Sequence, residues 1–163
     1  MTFVAYMTSP VGFLELKASG IGLQSISLKD GQTPLEPIEL NEQLQAAITQ
    51  LEEYFNGRRK IFNLDFDFHG APVFYQEVWR TMLLIPYGKT RSYSDIALRL
   101  GQPEAMRAVG QACHKNPLPI IIPCHRVIGK HGELGGYAYG LKMKLQLLHA
   151  ENPSKFTEQG VLF

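Results

Sequence analysis

The chain has 163 residues, 45% of them hydrophobic and 19% charged, with a formal net charge of +1 and two cysteines. It is long enough to bury the core of one domain or of two small ones, and too poor in cysteine for a disulfide-stapled scaffold. It contains no apolar run able to span a bilayer, and its first residues lack the basic start and long apolar stretch of a signal peptide, so it reads as a cytosolic protein with no membrane partner.

In chain order, Phe3 to Met7, Gly12 to Ala18 and Gly22 to Leu28 are short runs rich in β-branched, aromatic and alternating apolar residues. Ser9, Pro10, Ser19, Gly20, Asp30 and Gly31 separate them, which predicts a small antiparallel sheet. A loop holding Pro34 and Pro37 follows. Asn41 then fits an N-cap for a helix whose Leu44, Ala47, Ile48, Leu51 and Phe55 recur at helical spacing up to Asn56 and Gly57. Ile61 to Phe68 alternates and predicts a further strand, and His69 to Pro72 a linker. The chain accordingly divides into residues 1–71 and residues 72–163.

From Val73 the pattern is helical. Val73 to Ile85 places Phe74, Val78, Trp79 and Met82 on one face before the turn Pro86, Tyr87, Gly88. Ser94 is expected to cap a second helix, Asp95 to Leu100, which Gly101 stops. Pro103 suits the first turn of a third helix, with Glu104 beside it at the positive end of the helix dipole. Two short helices joined by a tight glycine-containing turn have the form of a helix-turn-helix, whose second helix meets DNA. That helix carries Arg107, Ala108, Gly110, Gln111 and Ala112. Its small residues allow close approach to a partner surface; tight packing against a neighbouring helix explains them equally well.

Charge follows the same division. Residues 1–71 hold five basic and nine acidic residues, a balance of −4, and the remainder holds eleven basic and six acidic, a balance of +5. The asymmetry suggests that the C-terminal part faces a polyanion.

The stretch Asn116 to Val127 reads NPLPIIIPCHRV. Ile120, Ile121 and Ile122 predict a short buried extended segment that Pro123 ends, leaving Cys124 at the rim of a core. A free thiol has a pKa of about 8.5 and needs a base or a favourable charge to react at neutral pH. His125 and Arg126 are the adjacent candidates, although neighbours on an extended chain point to opposite sides. A buried structural cysteine fits the same pattern. Cys113 with His114, and Cys124 with His125, are direct neighbours rather than looped chelating pairs, so neither metal nor other cofactor is expected.

The segment MRAVGQACHKNPLPIIIPCHRVIGKHGELGGYAYGL, together with RSYSDIA, resembles the active-site region of the O6-alkylguanine-DNA alkyltransferases, or methylated-DNA-protein-cysteine methyltransferases. The resemblance is strong from Phe74 to Glu151 and extends to the N-terminal part only in general layout. It implies an α/β fold class, with a small N-terminal antiparallel sheet and helix plus a mainly helical C-terminal domain containing a winged helix-turn-helix. It also implies DNA repair in one stoichiometric step, without turnover: Cys124 takes an alkyl group from O6 of guanine, with O4 of thymine as a second lesion. The partner implied is double-stranded DNA containing O6-alkylguanine, engaged by a monomer.

By the same resemblance His125 would draw off the Cys124 proton through a water, Glu151 would orient that histidine, and Asn116 would hold the turn. Tyr93 would donate to the departing guanine and Arg107 would fill the gap left by the flipped nucleotide. Ala108, Gly110, Gln111 and Tyr93 would line the DNA face. Tyr137, Ala138, Gly136 and the backbone of Val127 would wall the pocket, and Cys113 is expected as a buried helix residue. The sequence departs from the family at Tyr139, where glycine is common; a phenol there is expected to narrow the pocket or stack on the base. Leu145 and Gln146 replace a tryptophan and a basic residue in the last helix. A helix-turn-helix regulator with a sensing cysteine is the alternative from a different class; it explains the DNA helix but not Asn116, His125 and Glu151.

Overall fold

Three seven-residue strands open the chain in the computed structural model: β1 (Phe3–Ser9), β2 (Gly12–Ala18) and β3 (Leu23–Lys29), paired antiparallel in sequence order. The structure describes residues 1–157 and 160–161, and the chain divides into two units, 1–69 and 70–163. Pairing of Ser9 with Gly12 leaves Pro10 and Val11 as a two-residue hairpin turn, closed by Gly12 at φ +135°. Helix α1 (Glu42–Phe55) packs on the sheet. The Asn41 side chain accepts the Leu44 N–H at 3.0 Å, satisfying one of the free donors of the first turn. Leu44, Ala47 and Leu51 are fully buried, as are Leu14, Leu16 and Ile26 of the strands. Tyr54 rather than Phe55 completes the buried stripe.

The strand expected at Ile61 to Phe68 does not form. Its backbone is committed elsewhere: Asn63 N–H donates to the Gln50 side chain at 2.8 Å and Asn63 C=O accepts from it at 2.9 Å. The segment touches the sheet at one bridge, Leu23 with Phe66. Ile61 is 80% exposed. At that bridge Leu23 N–H donates to Asp65 C=O at 2.9 Å and Leu23 C=O accepts from Asp67 N–H at 2.8 Å, and the rest of the alternating run stays irregular.

The second unit is mainly helical. Helix α2 (Val73–Met82) buries Val78, Trp79 and Met82. It ends three residues before the expected Ile85, because Leu84 and Ile85 bond back to Thr81 and Met82 in a tightened turn ahead of Pro86. Strand β4 (Arg91–Ser92) pairs parallel with β5 (Val127–Ile128). Helix α3 (Tyr93–Arg99) follows directly, and Ser92, not Ser94, is its cap. Ser92 Oγ accepts the Asp95 N–H at 3.0 Å while Asp95 accepts the Ser92 N–H at 2.8 Å, a reciprocal box that Ser94 has no acid placed to make.

Helix α4 (Met106–His114) begins later than Pro103 suggests. Ala105 N–H donates to Gln102 C=O at 2.9 Å, so Pro103 forms the corner of a β-turn and Glu104 lies outside the helix. Arg107 consequently sits in the first turn of α4. Helices α2, α3 and α4 pack against one another, and Trp79 Nε1 donates to Ala112 C=O at 2.8 Å. Helix α5 (Leu141–Glu151) starts from Gly140 at φ +92°, and β6 (Phe156–Thr157) pairs antiparallel with β7 (Gly160–Val161). The small antiparallel sheet with its helix and the mainly helical second unit are the fold class the sequence indicated. Among the described residues no helix is long and apolar enough to cross a membrane.

Candidate active site

The isoleucines that lead to Cys124 are buried, but they turn instead of extending. Ile122 N–H donates to Leu118 C=O at 2.9 Å, and Ile120 takes φ +77°, a left-handed conformation that a β-branched residue adopts only under strain. The reason lies in Asn116. Its Oδ1 accepts the Leu118 N–H at 2.9 Å and its Nδ2 donates to Ile122 C=O at 2.8 Å, so one side chain closes the loop on itself. Pro123, at φ −82° and ψ 62°, then forms an inverse γ-turn in which Cys124 N–H donates to Ile122 C=O at 2.8 Å. Cys124 begins a single 3-10 turn, Cys124–Arg126.

Asn116 Nδ2 also donates to Cys124 Sγ at 3.1 Å. Cys124 is 6% exposed. Burial pushes its thiol up, and the Asn116 donor and the nearby Lys144 charge oppose that rise. A proton acceptor is therefore needed before the sulfur can attack.

His125 is fully buried and its Nε2 lies 2.7 Å from Glu151 Oε2. With the carboxylate accepting there, the proton sits on Nε2, and Nδ1 keeps its lone pair; among the described residues Nδ1 has no hydrogen-bond partner. Burial lowers the imidazole pKa and Glu151 opposes the fall, so the ring is a neutral base. Burial alone would raise the Glu151 pKa, but the His125 ring and the Arg126 guanidinium outweigh it and hold the carboxylate well below its usual range. Arg126 Nε and Nη2 donate to the two Glu151 oxygens at 2.8 and 3.0 Å, and Nη1 donates to Ile85 C=O at 2.8 Å. Arg126 thus fixes the acid and does not face the thiol.

A cavity of about 240 Å³ opens on Cys124, lined also by Tyr93, Gly110, Cys113, His114, Gly136, Tyr137 and Ala138. Tyr93, the first residue of α3, is delivered by the Ser92 cap. A side chain on Gly135 would meet the Tyr93 hydroxyl at 2.9 Å, so glycine is required there both for space and for φ +69°. Burial pushes the Tyr93 phenol up to about 12, which keeps it a proton donor. The Tyr137 hydroxyl is buried without a hydrogen-bond partner among the described residues.

Two expected pocket residues stand back from this cavity. Tyr139 packs edge-on against Tyr137, ring centroids 6.3 Å apart, and is not among the lining residues. Val127 is fully buried, and its carbonyl accepts from Lys144 at 2.8 Å. On α4, Arg107 and Gln111 are exposed while Val109, Ala112 and Cys113 face inward. A groove lined by Tyr75, Arg107, Gln111 and Lys115 shares Gly110 and His114 with the thiol cavity, so the outer face of α4 runs up to the mouth of the site.

Sequence reasoning missed three contributors. Cys113 and His114 line the cavity, a position that helical phase makes visible once the start of α4 is known. Lys144 is fully buried between Met143 and Leu145. Its sequence signal is weak, because Lys142, two residues earlier, is exposed. Among the described residues there is no cluster of three or more metal-ligating side chains.

Comparison with known proteins identifies the family. Residues 3–68 match the ribonuclease-like domain of 6-O-methylguanine DNA methyltransferase, and residues 73–153 match its DNA binding domain. A methylated-DNA–protein-cysteine methyltransferase of Mycobacterium leprae is 44% identical over 156 residues, 93% of each chain. One from Methanosarcina barkeri is 43% identical over 147 residues, 88% of this chain and 92% of that one. The crystal structure of the Mycobacterium tuberculosis O6-methylguanine methyltransferase aligns with a TM-score of 0.82 at 38% identity, covering 94% of each chain. The same organism's protein in complex with DNA aligns at 0.81, with 39% identity over 91% of this chain and 92% of that one. The chain belongs to the 6-O-methylguanine DNA methyltransferase family.

Proposed function

We propose that the protein repairs DNA by moving an alkyl group from O6 of guanine, and from O4 of thymine, onto Cys124, each molecule acting once. The observation that carries this reading is the chain of contacts from Asn116 to Cys124 and from Glu151 to His125 beside a cavity that Tyr93 closes. The Cys124 proton passes through a water to His125 Nδ1, whose lone pair the Glu151 contact leaves available. The thiolate attacks the alkyl carbon, the new S–C bond forms as the C–O bond breaks, and guanine leaves. Tyr93 hydrogen-bonds the departing base, so that it need not leave as a full anion. Guanine takes up a proton as it leaves, His125 gives its proton back to solvent through the same water, and the sulfur ends as a thioether, which has no route back.

An alkylated base inside a duplex is out of reach of this cavity, so the nucleotide must be flipped, at a cost of a few kcal/mol of unstacking. Ala108 and Gly110 on α4 allow close approach to the duplex. Arg107, in the first turn, fills the vacated stack and offsets phosphate charge. One thiol and one lesion need one protein molecule, so a monomer suffices. Both cysteines are free thiols, which suits a reducing compartment such as the cytoplasm.

The test is stoichiometry. With limiting protein and excess duplex carrying O6-methylguanine, repaired lesions should plateau at one per protein molecule, and Cys124→Ala should repair none. Repeated turnover, or repair by the alanine variant, would contradict the reading. Arg107→Ala should slow repair in duplex DNA by about tenfold or more while leaving reaction with the free base nearly unchanged, since only the duplex needs a plug. Equal losses on both substrates would remove Arg107 from that role.

A further inference from the structure

Two buried side-chain polar atoms stand without a hydrogen-bond partner among the described residues, His125 Nδ1 and the Tyr137 hydroxyl. Buried polar groups are almost always paired, so both atoms call for an explanation. They belong to one site. Tyr137 lines the cavity with Cys124, and the groups that face its hydroxyl electrostatically are Cys124, Tyr139 and Glu151, the last of which holds the His125 ring at 2.7 Å. The two atoms do not bond each other, yet their chemistry is complementary. With the ring proton on Nε2, Nδ1 only accepts, whereas a phenol donates. Burial holds the Tyr137 phenol well above its ordinary value of 10.0, so it keeps its proton. A buried water makes about two to four hydrogen bonds to groups of this kind. One that accepts from the Cys124 S–H and the Tyr137 O–H and donates to His125 Nδ1 satisfies all three.

We propose that Tyr137 is a positioning residue whose hydroxyl holds the relay water in line between Cys124 Sγ and His125 Nδ1. The inference rests on the proposed alkyl transfer and adds the group that fixes its water. As the S–H bond breaks, the thiol proton forms an O–H bond on the water, and a water proton passes to Nδ1. The phenol keeps its own proton throughout, so Tyr137 acts only by setting where the water stands. Its ring is braced edge-on by Tyr139, which orients the hydroxyl without occupying the cavity. Without that hydroxyl the water loses a partner and drifts off the line from sulfur to ring, and proton transfer slows. The thiol must then lose its proton to hydroxide from solvent.

The experiment is Tyr137→Phe, which keeps the ring that walls the cavity and removes one oxygen. Single-turnover methyl transfer from duplex DNA carrying O6-methylguanine is followed against DNA concentration and pH in both proteins. At about pH 7 the saturating rate of the variant should fall about tenfold or more, while the half-saturating DNA concentration changes by less than about twofold. Between about pH 7 and about pH 9 the variant should gain rate with hydroxide and the wild type much less, so that the gap narrows. Lys144, at about 8, titrates in this window in both proteins alike, and Tyr93 and Cys113, each at about 12, do not. An unchanged saturating rate, a loss that lies in half-saturation, or a gap that stays constant with pH overturns the proposal. If Tyr137→Phe does not fold, a crystal structure of the wild type decides. One ordered water within about 3.2 Å of both Tyr137 Oη and His125 Nδ1 is expected, and its absence, or a water touching only one of them, overturns the proposal. A wild type that leaves no methyl group on Cys124 overturns the functional reading itself, and this inference with it.

Discussion

Glu151 is the residue on which the buried polar groups converge. It accepts from His125 and twice from Arg126, and it is 7% exposed, so removing its charge leaves a buried guanidinium with no counter-ion. Glu151→Gln should therefore cost about 3 to 5 kcal/mol in denaturant unfolding, and it should slow alkylation because the imidazole loses its orienting partner. A change below about 1 kcal/mol would show that the network is not a stabilising one. The pH dependence has a definite sign. The folded carboxyl is held below its ordinary value of 4.5, so its stabilisation is complete above that value and is lost as pH falls below it. The glutamine variant should lack that part of the acid dependence. At this scale much of the site was legible in the sequence, because Cys124, His125, Glu151 and Asn116 are carried by a specific motif. Lys144 was not, because Lys142 and Lys144 look alike in the sequence and only the fold buries the second against the carbonyls of Val127, Leu134 and Gly136.

Helix α3 matters because of where it begins. Ser92 ends β4, caps α3 and places Tyr93 in the first turn, where it lines the same cavity as Cys124, so one residue links the parallel strand pair to the proposed leaving-group donor. Ser92→Ala should lower stability by about 1 kcal/mol, seen as a fall in Tm, and should slow alkyl transfer as Tyr93 loses its fixed start. An unchanged Tm would mean that Asp95 alone holds the helix end. The cap was misplaced by two residues in the sequence reading because Ser92 and Ser94 are chemically identical; only the acid three residues after Ser92 distinguishes them. The start of α4 was misread for a related reason, since proline is as suitable at a turn corner as in a first helical turn. The segment Ile61 to Phe68 and the isoleucine run share a third cause. Both have the composition of strands, and in both a side-chain amide, Gln50 or Asn116, takes the backbone groups that a strand would have offered to a sheet. Side-chain capture of a backbone cannot be seen in hydrophobic periodicity.

Across the whole chain the division of charge follows the division of structure. The unit of residues 1–69 carries the balance of −4, and the unit of residues 70–163 carries +5 together with Cys124, His125, the cavity and α4. The sheet and helix of the first unit were readable from alternation and an N-cap. The helices of the second were readable as elements but not at their ends. The measurement that bears most directly on the central claim is intact-protein mass followed by peptide mapping, after incubation with duplex DNA containing O6-methylguanine. The predicted result is a gain of one methyl group, located on Cys124 and not on Cys113. An unchanged mass, or a methyl group found on Cys113, would contradict the account.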